Sequence, residues 1–198
     1  MPYTFQTLSA STKGIYKEKG SKFLSFAIPV TDVEEIKNIV KDHRKRFFDA
    51  RHVCYAYMLG ADRTEFRSND DGEPSGTAGR PILGQINSRE LTNVLVIVVR
   101  YFGGILLGTG GLITAYREAA ADALNQADIL EKSVEMSFSF YFQYVVLNDV
   151  MRVIKDANAQ IIKQDFNNLC IMKISIRMQD AELLINKLKT INSLCFQN

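Results

Sequence analysis

A glycine-rich segment, residues 101–112, has the composition of a loop that binds a ligand through its backbone. Five glycines fall within nine residues: Gly103, Gly104, Gly108, Gly110 and Gly111. Glycine permits positive φ and lets another chain or a ligand approach the backbone closely. Free N–H groups of a helix that begins here would favour an anion. The segment therefore predicts a binding site, and a turn that needs glycine only for packing is the alternative.

Two nucleotide-binding motifs come close to matching this segment, and neither is complete. Residues 103–108 have the glycine spacing of a P-loop, but Thr109 and Gly110 stand where that motif requires Lys and Ser or Thr. Gly108 and Gly110 begin a dinucleotide fingerprint, but Ile113 occupies its third glycine position. We therefore reject both motifs, and the sequence assigns no catalytic residue.

An acidic loop, residues 68–81, carries the second group of candidates. Three carboxylates within four positions could hold Mg²⁺ or Ca²⁺, but the EF-hand spacing is absent. We therefore predict no dedicated metal site or cofactor, with a bound anion or Mg²⁺ as the alternative. A binding loop held by a rigid scaffold fits this composition better. Its candidate binding residues are Asp70, Asp71, Gly72, Glu73, Ser75, Gly76 and Thr77.

His52 and Cys54 lie two positions apart in a predicted strand, so their side chains point to the same face. The pair could act as a nucleophilic dyad if the imidazole lowered the pKa of the thiol. A packed Cys beside a hydrogen-bonded His is the alternative, and we expect it to hold. Two ligands cannot complete a zinc site.

A basic stretch supplies the candidates for contact with nucleic acid: Lys41, Arg44, Lys45, Arg46 and Arg51. The same residues would also complement the dipole at the end of a helix. The net charge of the chain is only +2, so binding to nucleic acid would depend on this local patch.

Composition places the chain among globular proteins of a reducing compartment. Of 198 residues, 46% are apolar, which is enough for a core without metal or disulfide staples. The three cysteines are far apart and form no CxxC pair, so no disulfide framework or zinc ribbon is indicated. The longest apolar run, Val94–Val99, is too short to span a bilayer. We expect a cytoplasmic protein with no membrane partner.

A change of composition predicts two domains, residues 1–132 and 133–198, in an α+β protein. All twelve glycines lie at or before Gly111 and all four prolines at or before Pro81. In the first domain we predict strands near residues 3–9, 21–30, 53–59, 64–68 and 93–101, and helices near 32–48, within 74–89 and over 109–127. In the second, strands at 134–142, 160–166 and 170–177, a tight Asn-Asn turn between the last two, helices at 145–157 and 180–190, and a last short strand give the ferredoxin-like βαββαβ order.

Four segments of the first domain resemble the YigZ/IMPACT family: residues 19–23, 50–54, 70–79 and 99–112. The last of these adds Arg100 and Tyr101 to the candidate binding site. The resemblance implies a βαβ fold shared by a small-subunit ribosomal protein and a translation elongation factor domain. It also implies a ferredoxin-like second domain similar to the last domain of elongation factor G. Eukaryotic relatives act in translational control by binding a large activator of a stress kinase.

Three functional hypotheses follow. The leading one is a non-enzymatic binding protein that acts in translation on the ribosome, RNA or a translation factor, through a groove between the glycine-rich turn and residues 70–79. The second is an enzyme acting on a phosphorylated or anionic small molecule, with Asp70, Asp71 or Glu73 as base or metal ligand. The third is a protein–protein adaptor, if the phenylalanines at 138, 140 and 142 are exposed rather than packed under helices. The oligomeric state is not set by the sequence.

Overall fold

The computed structural model describes residues 2–167 and 169–196, which form two compact units. One unit is Phe5–Lys132, and the other combines Pro2–Thr4 with the residues from Ser133 onward. Both contain helices and antiparallel sheet. The predicted α+β class is therefore confirmed. No helix of the described residues has the length and apolar character needed to cross a membrane.

A five-stranded antiparallel sheet, in the order β2-β3-β6-β4-β5, is the centre of the first unit, and β1 pairs with β7 in a separate two-stranded sheet. The strands are β1 (Thr4–Leu8), β2 (Thr12–Glu18), β3 (Ser21–Pro29), β4 (His52–Leu59), β5 (Glu65–Asn69), β6 (Val94–Tyr101) and β7 (Ile129–Ser133). The helices are α1 (Val33–Arg46), α2 (Gly79–Ser88) and α3 (Gly108–Asn125).

Strand β6 is buried on both faces, as its continuous apolar run predicts. Val94, Val96 and Val98 belong to the core cluster that includes α2 and α3. The alternate residues Leu95, Ile97 and Val99 belong to the cluster that includes α1. Because successive side chains of a strand point to opposite faces, α1 covers one face of the sheet and α2 with α3 covers the other.

Helix α1 begins and ends with the signals that its sequence predicts. The Asp32 side chain accepts a hydrogen bond from the Glu35 N–H at 2.8 Å, which satisfies one free donor at the helix start. Acidic residues lie in the first turn and basic residues in the last, where each complements the helix dipole.

The sequence analysis did not predict β2 and β7. Strand β2, TKGIYKE, is mostly polar and lies at the sheet edge, and all five residues of β7 are exposed. Neither strand has the buried apolar alternation from which strands are recognised. Gly14 in β2 looks like a loop residue, but a Cβ there would lie 2.5 Å from the backbone nitrogen of Ala123 in α3.

The second unit has the predicted ferredoxin-like βαββαβ order. It contains β8 (Glu135–Gln143), α4 (Leu147–Asp156), β9 (Gln160–Phe166), β10 (Leu169–Arg177), α5 (Met178–Lys189) and β11 (Leu194–Phe196), with a short 3-10 turn, Tyr144–Val146, before α4. Its sheet has the order β11-β8-β10-β9. The predicted Asn-Asn turn includes Asn168, which lies outside the described residues.

The phenylalanines of β8 form the core of the second unit. Phe140 and Phe142 are fully buried, and Phe138 packs against the same cluster as α4 and α5. The structure thus confirms packing under the helices. The condition on which the adaptor hypothesis depended, exposure of these rings, is not met.

Candidate functional site

A groove of about 450 Å³ lies beside the start of α3, and we call it the glycine-loop groove. Its lining comes from both segments singled out in the sequence: Glu73 and Pro74 of the acidic loop, and residues 106–109 of the glycine-rich turn. The remaining lining residues are Arg51, His52, Arg100, Phe102 and Leu112. A concave space of this size is typical of sites that bind small ligands or single side chains.

A row of three side chains crosses the sheet beneath this groove. The strand register places Phe23 of β3 and His52 of β4 on either side of Arg100 in β6. Directly paired residues share one face of a sheet, so all three point towards the α2–α3 layer. The Arg100 guanidinium lies 5.5 Å from the ring centroid of Phe23 and 5.7 Å from that of Phe102.

Arg100 and Glu73 form a buried ion pair. They are only 5% and 8% exposed, and Arg100 Nη1 lies 2.5 Å from Glu73 Oε1. The Tyr116 hydroxyl of α3 donates to the same carboxylate oxygen at 2.7 Å. Buried charges persist when they are paired in this way, so Glu73 fixes the acidic loop to β6 and α3. Arg100 Nε, in contrast, is buried without a hydrogen-bond partner among the described residues.

Asp71 connects the acidic loop to two other elements. Its carboxylate accepts the Val53 N–H at 2.7 Å and an ion pair from Arg44 at the end of α1. Its backbone carbonyl lies 2.7 Å from His52 Nδ1, which leaves His52 Nε2 on the groove side, 3.8 Å from Glu73 Oε1. The Asp71 carboxylate is therefore occupied by structural contacts.

Asp70 holds the start of α2. Its carboxylate accepts backbone N–H groups from Gly76 at 2.8 Å, Ala78 at 3.0 Å and Gly79 at 2.8 Å. Burial alone would raise the pKa of this carboxyl, but the three backbone donors together hold the pKa below its ordinary value. The helix has no other side-chain cap at its N-cap residue, so Asp70 performs that role from eight residues away.

Cys54 is packed in the core of the first unit. Its thiol is fully buried and lies 3.0 Å from the Asp70 carbonyl oxygen and 3.4 Å from the Tyr116 hydroxyl oxygen. Burial raises the pKa of the thiol far above its usual range, and the hydrogen bond with Tyr116 lowers it only in part. Burial therefore disfavours the thiolate that a Cys–His dyad requires, and these contacts agree with the alternative of a packed Cys beside a hydrogen-bonded His.

The glycines of the turn serve different purposes. A Cβ at Gly103 would lie 1.9 Å from the carbonyl carbon of Gly20, so this position exists for a close approach of two backbones. Gly104 and Gly108 have φ of +87° and +71°, which side chains rarely adopt. Gly110 has neither constraint, because a Cβ there would meet nothing within 4 Å.

Helix α3 begins at this turn without a side-chain cap. Its N-cap residue, Leu107, makes no side-chain hydrogen bond, and no acidic residue lies in its first turn. The partial positive charge of the helix start is therefore not compensated by a side chain of that turn. Gly108 and Thr109 of this first turn line the glycine-loop groove.

Several predicted binding residues lie away from this groove. The Tyr101 hydroxyl bonds to Asp49 on the α1 side of the sheet, and Thr77 bonds back to Pro74 within the acidic loop. Gly72, Ser75 and Gly76 also belong to that loop and do not appear among the groove-lining residues of the described chain; Gly111 packs against Leu107 and lines a smaller cavity with Gly110.

The predicted nucleic-acid patch divides between two places. Arg51 lines the glycine-loop groove. Lys41, Arg44 and Lys45 line a second groove of about 500 Å³ beside α1, while Arg46 lies over the Phe47 ring. We call this second space the α1 groove.

Sequence reasoning did not anticipate the apolar walls of the glycine-loop groove. Phe102 and Leu106 are 49% and 83% exposed, although their residue types suggest a core. The available signal was their position within a glycine-rich turn, where side chains cannot all face inwards. Tyr116, which joins Glu73 to Cys54, looked like an ordinary core residue of α3.

The three carboxylates of the acidic loop do not form a cluster among the described residues. Within residues 2–167 and 169–196, no three His, Cys, Asp or Glu side chains are grouped so that they could hold a metal ion. Asp70, Asp71 and Glu73 each bind different protein partners, as described above. The geometry thus argues against the Mg²⁺ alternative at this loop.

Comparison with known proteins identifies the family. Residues 19–124 match the model of the Impact N-terminal domain. The chain is also 34% identical to "IMPACT family member YigZ" of Escherichia coli, over 80% of this chain and 78% of that protein. This chain belongs to the IMPACT family. The matched range contains every residue named above as lining the glycine-loop groove.

Other IMPACT family relatives agree with this assignment. The chain is 38% identical to "IMPACT family member YvyE" of Bacillus subtilis, over 66% of this chain and 59% of that protein. A crystal structure described as that of a hypothetical protein superposes with a TM-score of 0.79 at 30% identity, covering 99% of this chain and 97% of the other. The fold described here is therefore shared over nearly the whole chain.

The role of Asp70 in this IMPACT family member predicts a pH-dependent loss of stability. A carboxyl whose folded pKa lies below its ordinary value of 3.8 stabilises the fold above that pH and ceases to do so as pH falls through the folded pKa. Asp70→Asn should lower the free energy of unfolding by about 2 kcal/mol at neutral pH. Urea denaturation from neutral pH to below pH 3.8 should show the difference from the wild type shrinking; a constant difference would contradict this role.

The buried thiols predict selective alkylation. Cys54 and Cys170 are buried and Cys195 is exposed. Iodoacetamide should modify Cys195 quickly in the native protein and the other two only after unfolding. The reagent reacts with a thiolate that it can reach, and a buried thiol is out of its reach. Peptide mass spectrometry of the labelled protein measures this. Fast native labelling of Cys54 would restore the dyad hypothesis.

Substitution by alanine should have opposite effects on stability at Gly103 and Gly110, two glycines of the turn. Gly103→Ala should destabilise the fold by about 3 kcal/mol or more, because its Cβ would overlap the Gly20 backbone. Gly110→Ala, the matched control in the first turn of α3, should change stability by less than about 1 kcal/mol, in the stabilising direction. Chemical denaturation of both variants provides the test, and equal effects would show that the close approach at Gly103 is not required.

Proposed function

We propose that this IMPACT family protein is a non-enzymatic binding protein that acts in translation, and that its partner binds in the glycine-loop groove. The role in translation rests on membership of the IMPACT family, because the resemblance to its eukaryotic members implies translational control. One observation carries the binding role. In the described part of the chain, the groove is lined by residues with unpartnered hydrogen-bond donors, whereas the nearby carboxylates are already bound by other parts of the protein. Arg100, whose Nε has no hydrogen-bond partner among the described residues, and the start of α3 line a groove, while Asp70, Asp71 and Glu73 are held by the protein itself.

The chemistry of the groove suits recognition better than catalysis. A general base or nucleophile needs a group that is free to exchange a proton or attack. The Cys54 thiol is buried, which raises its pKa and disfavours the thiolate, and the carboxylate of Glu73 is held by Arg100 and Tyr116. What the groove offers is hydrogen-bond donors beside apolar walls.

The α1 groove supports contact with RNA as part of the same role. Lys37, Lys41 and Lys45 are spaced four residues apart, so they form one stripe along α1. Arg44 and Arg67 line the same groove. Clustered cations of this kind bind phosphate groups with a strong dependence on salt.

One observation favours an enzyme acting on an anionic small molecule as the second candidate. The hydrogen bond between His52 Nδ1 and the Asp71 carbonyl orients the ring and leaves Nε2 towards the groove. That orientation is what a general base requires. Turnover of a phosphorylated small molecule that is lost in His52→Ala would support this candidate over the binding protein.

Ribosome co-sedimentation tests the proposed function. The wild type should pellet with purified ribosomes at about 50 mM salt and less so at about 200 mM. Leu106→Asp places a charge on the groove wall and should abolish the association, whereas Leu183→Asp, at another exposed apolar position, on α5, should not. No association at low salt contradicts the role in translation, and an unaffected Leu106→Asp variant contradicts the groove.

Charge removal in the α1 groove should have a different effect. Lys41→Gln with Lys45→Gln should weaken co-sedimentation and flatten its salt dependence, by about one unit of slope for each lost phosphate contact. The matched control is Lys187→Gln with Lys189→Gln on α5. Equal slopes for the two double variants would exclude the α1 groove from RNA contact.

A further inference from the structure

We infer that the glycine-loop groove binds the C-terminal residue of a partner protein, with its free carboxylate at Arg100 and the start of α3 and its apolar side chain against Phe102 and Leu106. This inference rests on the proposed function, because it names the chemistry of the partner at the same groove. Capture of a terminal carboxylate by backbone N–H groups is a recurring mode of peptide recognition.

Arg100 provides the first half of the carboxylate site. Its side chain is 6% exposed and lines the groove, and Nη1 is committed to Glu73. Nε is buried with no acceptor among the described residues. A buried N–H group without a partner costs free energy, which an acceptor from a ligand would remove. A side chain that lines the groove therefore carries a donor that the described residues do not use.

The start of α3 provides the second half. The helix has no side-chain cap and no acid in its first turn, and Gly108 and Thr109 line the groove beside Arg100. The first N–H groups of a helix have no partner within the helix. An anion placed there gains both these hydrogen bonds and the favourable helix dipole. Two independent features thus point to one anion position.

The charge of the groove fits a carboxylate better than a phosphate. Glu73 offsets the charge of Arg100, so Arg51 supplies the one positive charge that the lining residues leave unpaired. A terminal carboxylate carries one negative charge, whereas a terminal phosphate carries nearly two. A run of RNA phosphates requires several cations, and the lining of this groove leaves one unpaired.

The apolar walls select the residue that carries the carboxylate. Phe102 and Leu106 are exposed beside the groove, and Pro74, Leu107 and Leu112 complete its lining. Exposed apolar side chains gathered at a concave surface mark an interaction site. A ligand with an apolar side chain next to its carboxylate would cover them, as the last residue of a protein ending in Leu, Ile, Val, Phe or Met does.

Binding of synthetic peptides tests this inference. The probe is a fluorescent mixture of short peptides with a randomised interior and Leu, Ile, Val, Phe or Met at the C terminus, prepared with a free carboxylate and, separately, amidated. Fluorescence anisotropy should give a Kd at least about tenfold lower for the free acid, because the amide removes the charge that the site binds. Equal binding of acid and amide overturns the inference, as does an absence of binding.

Thr109→Asp distinguishes an effect on peptide binding from an effect on folding. A carboxylate in the first turn complements the helix dipole, so the variant should fold normally, yet it occupies the position of the ligand and should raise the Kd by about tenfold or more. Thr114→Asp makes the same charge change on an exposed position of the same helix and should leave the Kd unchanged. Equal effects of the two variants would place the peptide elsewhere.

Two further outcomes distinguish this inference from the proposed function. If a single-stranded RNA or inorganic phosphate displaces the peptide from the groove at equal concentration, the ligand is a phosphate and the inference is wrong. If no peptide binds but Leu106→Asp still abolishes ribosome association, the inference fails while the proposed function stands. If the wild type binds neither the peptides nor the ribosome, both the inference and the proposed function are wrong.

Discussion

The ion pair between Arg100 and Glu73 is the interaction on which the site depends. Arg100 lies on the central strand, with its guanidinium near the rings of Phe23 and Phe102. Its partner, Glu73, comes from a loop that consists mainly of turns. Removal of one member of such a buried pair typically costs about 3–5 kcal/mol, because the other charge is left without compensation. The pair, with Tyr116, therefore fixes the acidic loop against the sheet and gives the groove its second wall.

The same pair explains why the groove is suited to binding. Glu73 neutralises Arg100 and has no capacity left to act as a base, and Asp70 and Asp71 are used to hold α2, β4 and α1. Arg100 Nε has no hydrogen-bond partner among the described residues, and the first turn of α3 has no side-chain cap. Fixed donors beside an apolar wall suit the recognition of a ligand, which is the role that we propose for this groove.

Much of the fold could be predicted from the sequence because its signals are local. The apolar run of β6, the capping of α1 by Asp32 and the alternation of the second unit all depend on near neighbours. Strands β2 and β7 lack that pattern because they are exposed. The roles of the acids were beyond prediction for another reason: Glu73 finds partners 27 and 43 residues away, and only the folded chain brings them together.

The NMR signal of the Arg100 Nε–H group tests the central claim most directly, since this donor is the one that the protein leaves for a ligand. Labelled protein would be titrated with peptides that carry a free C-terminal carboxylate or an amide. We predict that the free acid shifts this signal and slows its exchange with water, as a new hydrogen bond requires, while the amide does not. An unchanged signal during saturable binding of the acid would contradict the account.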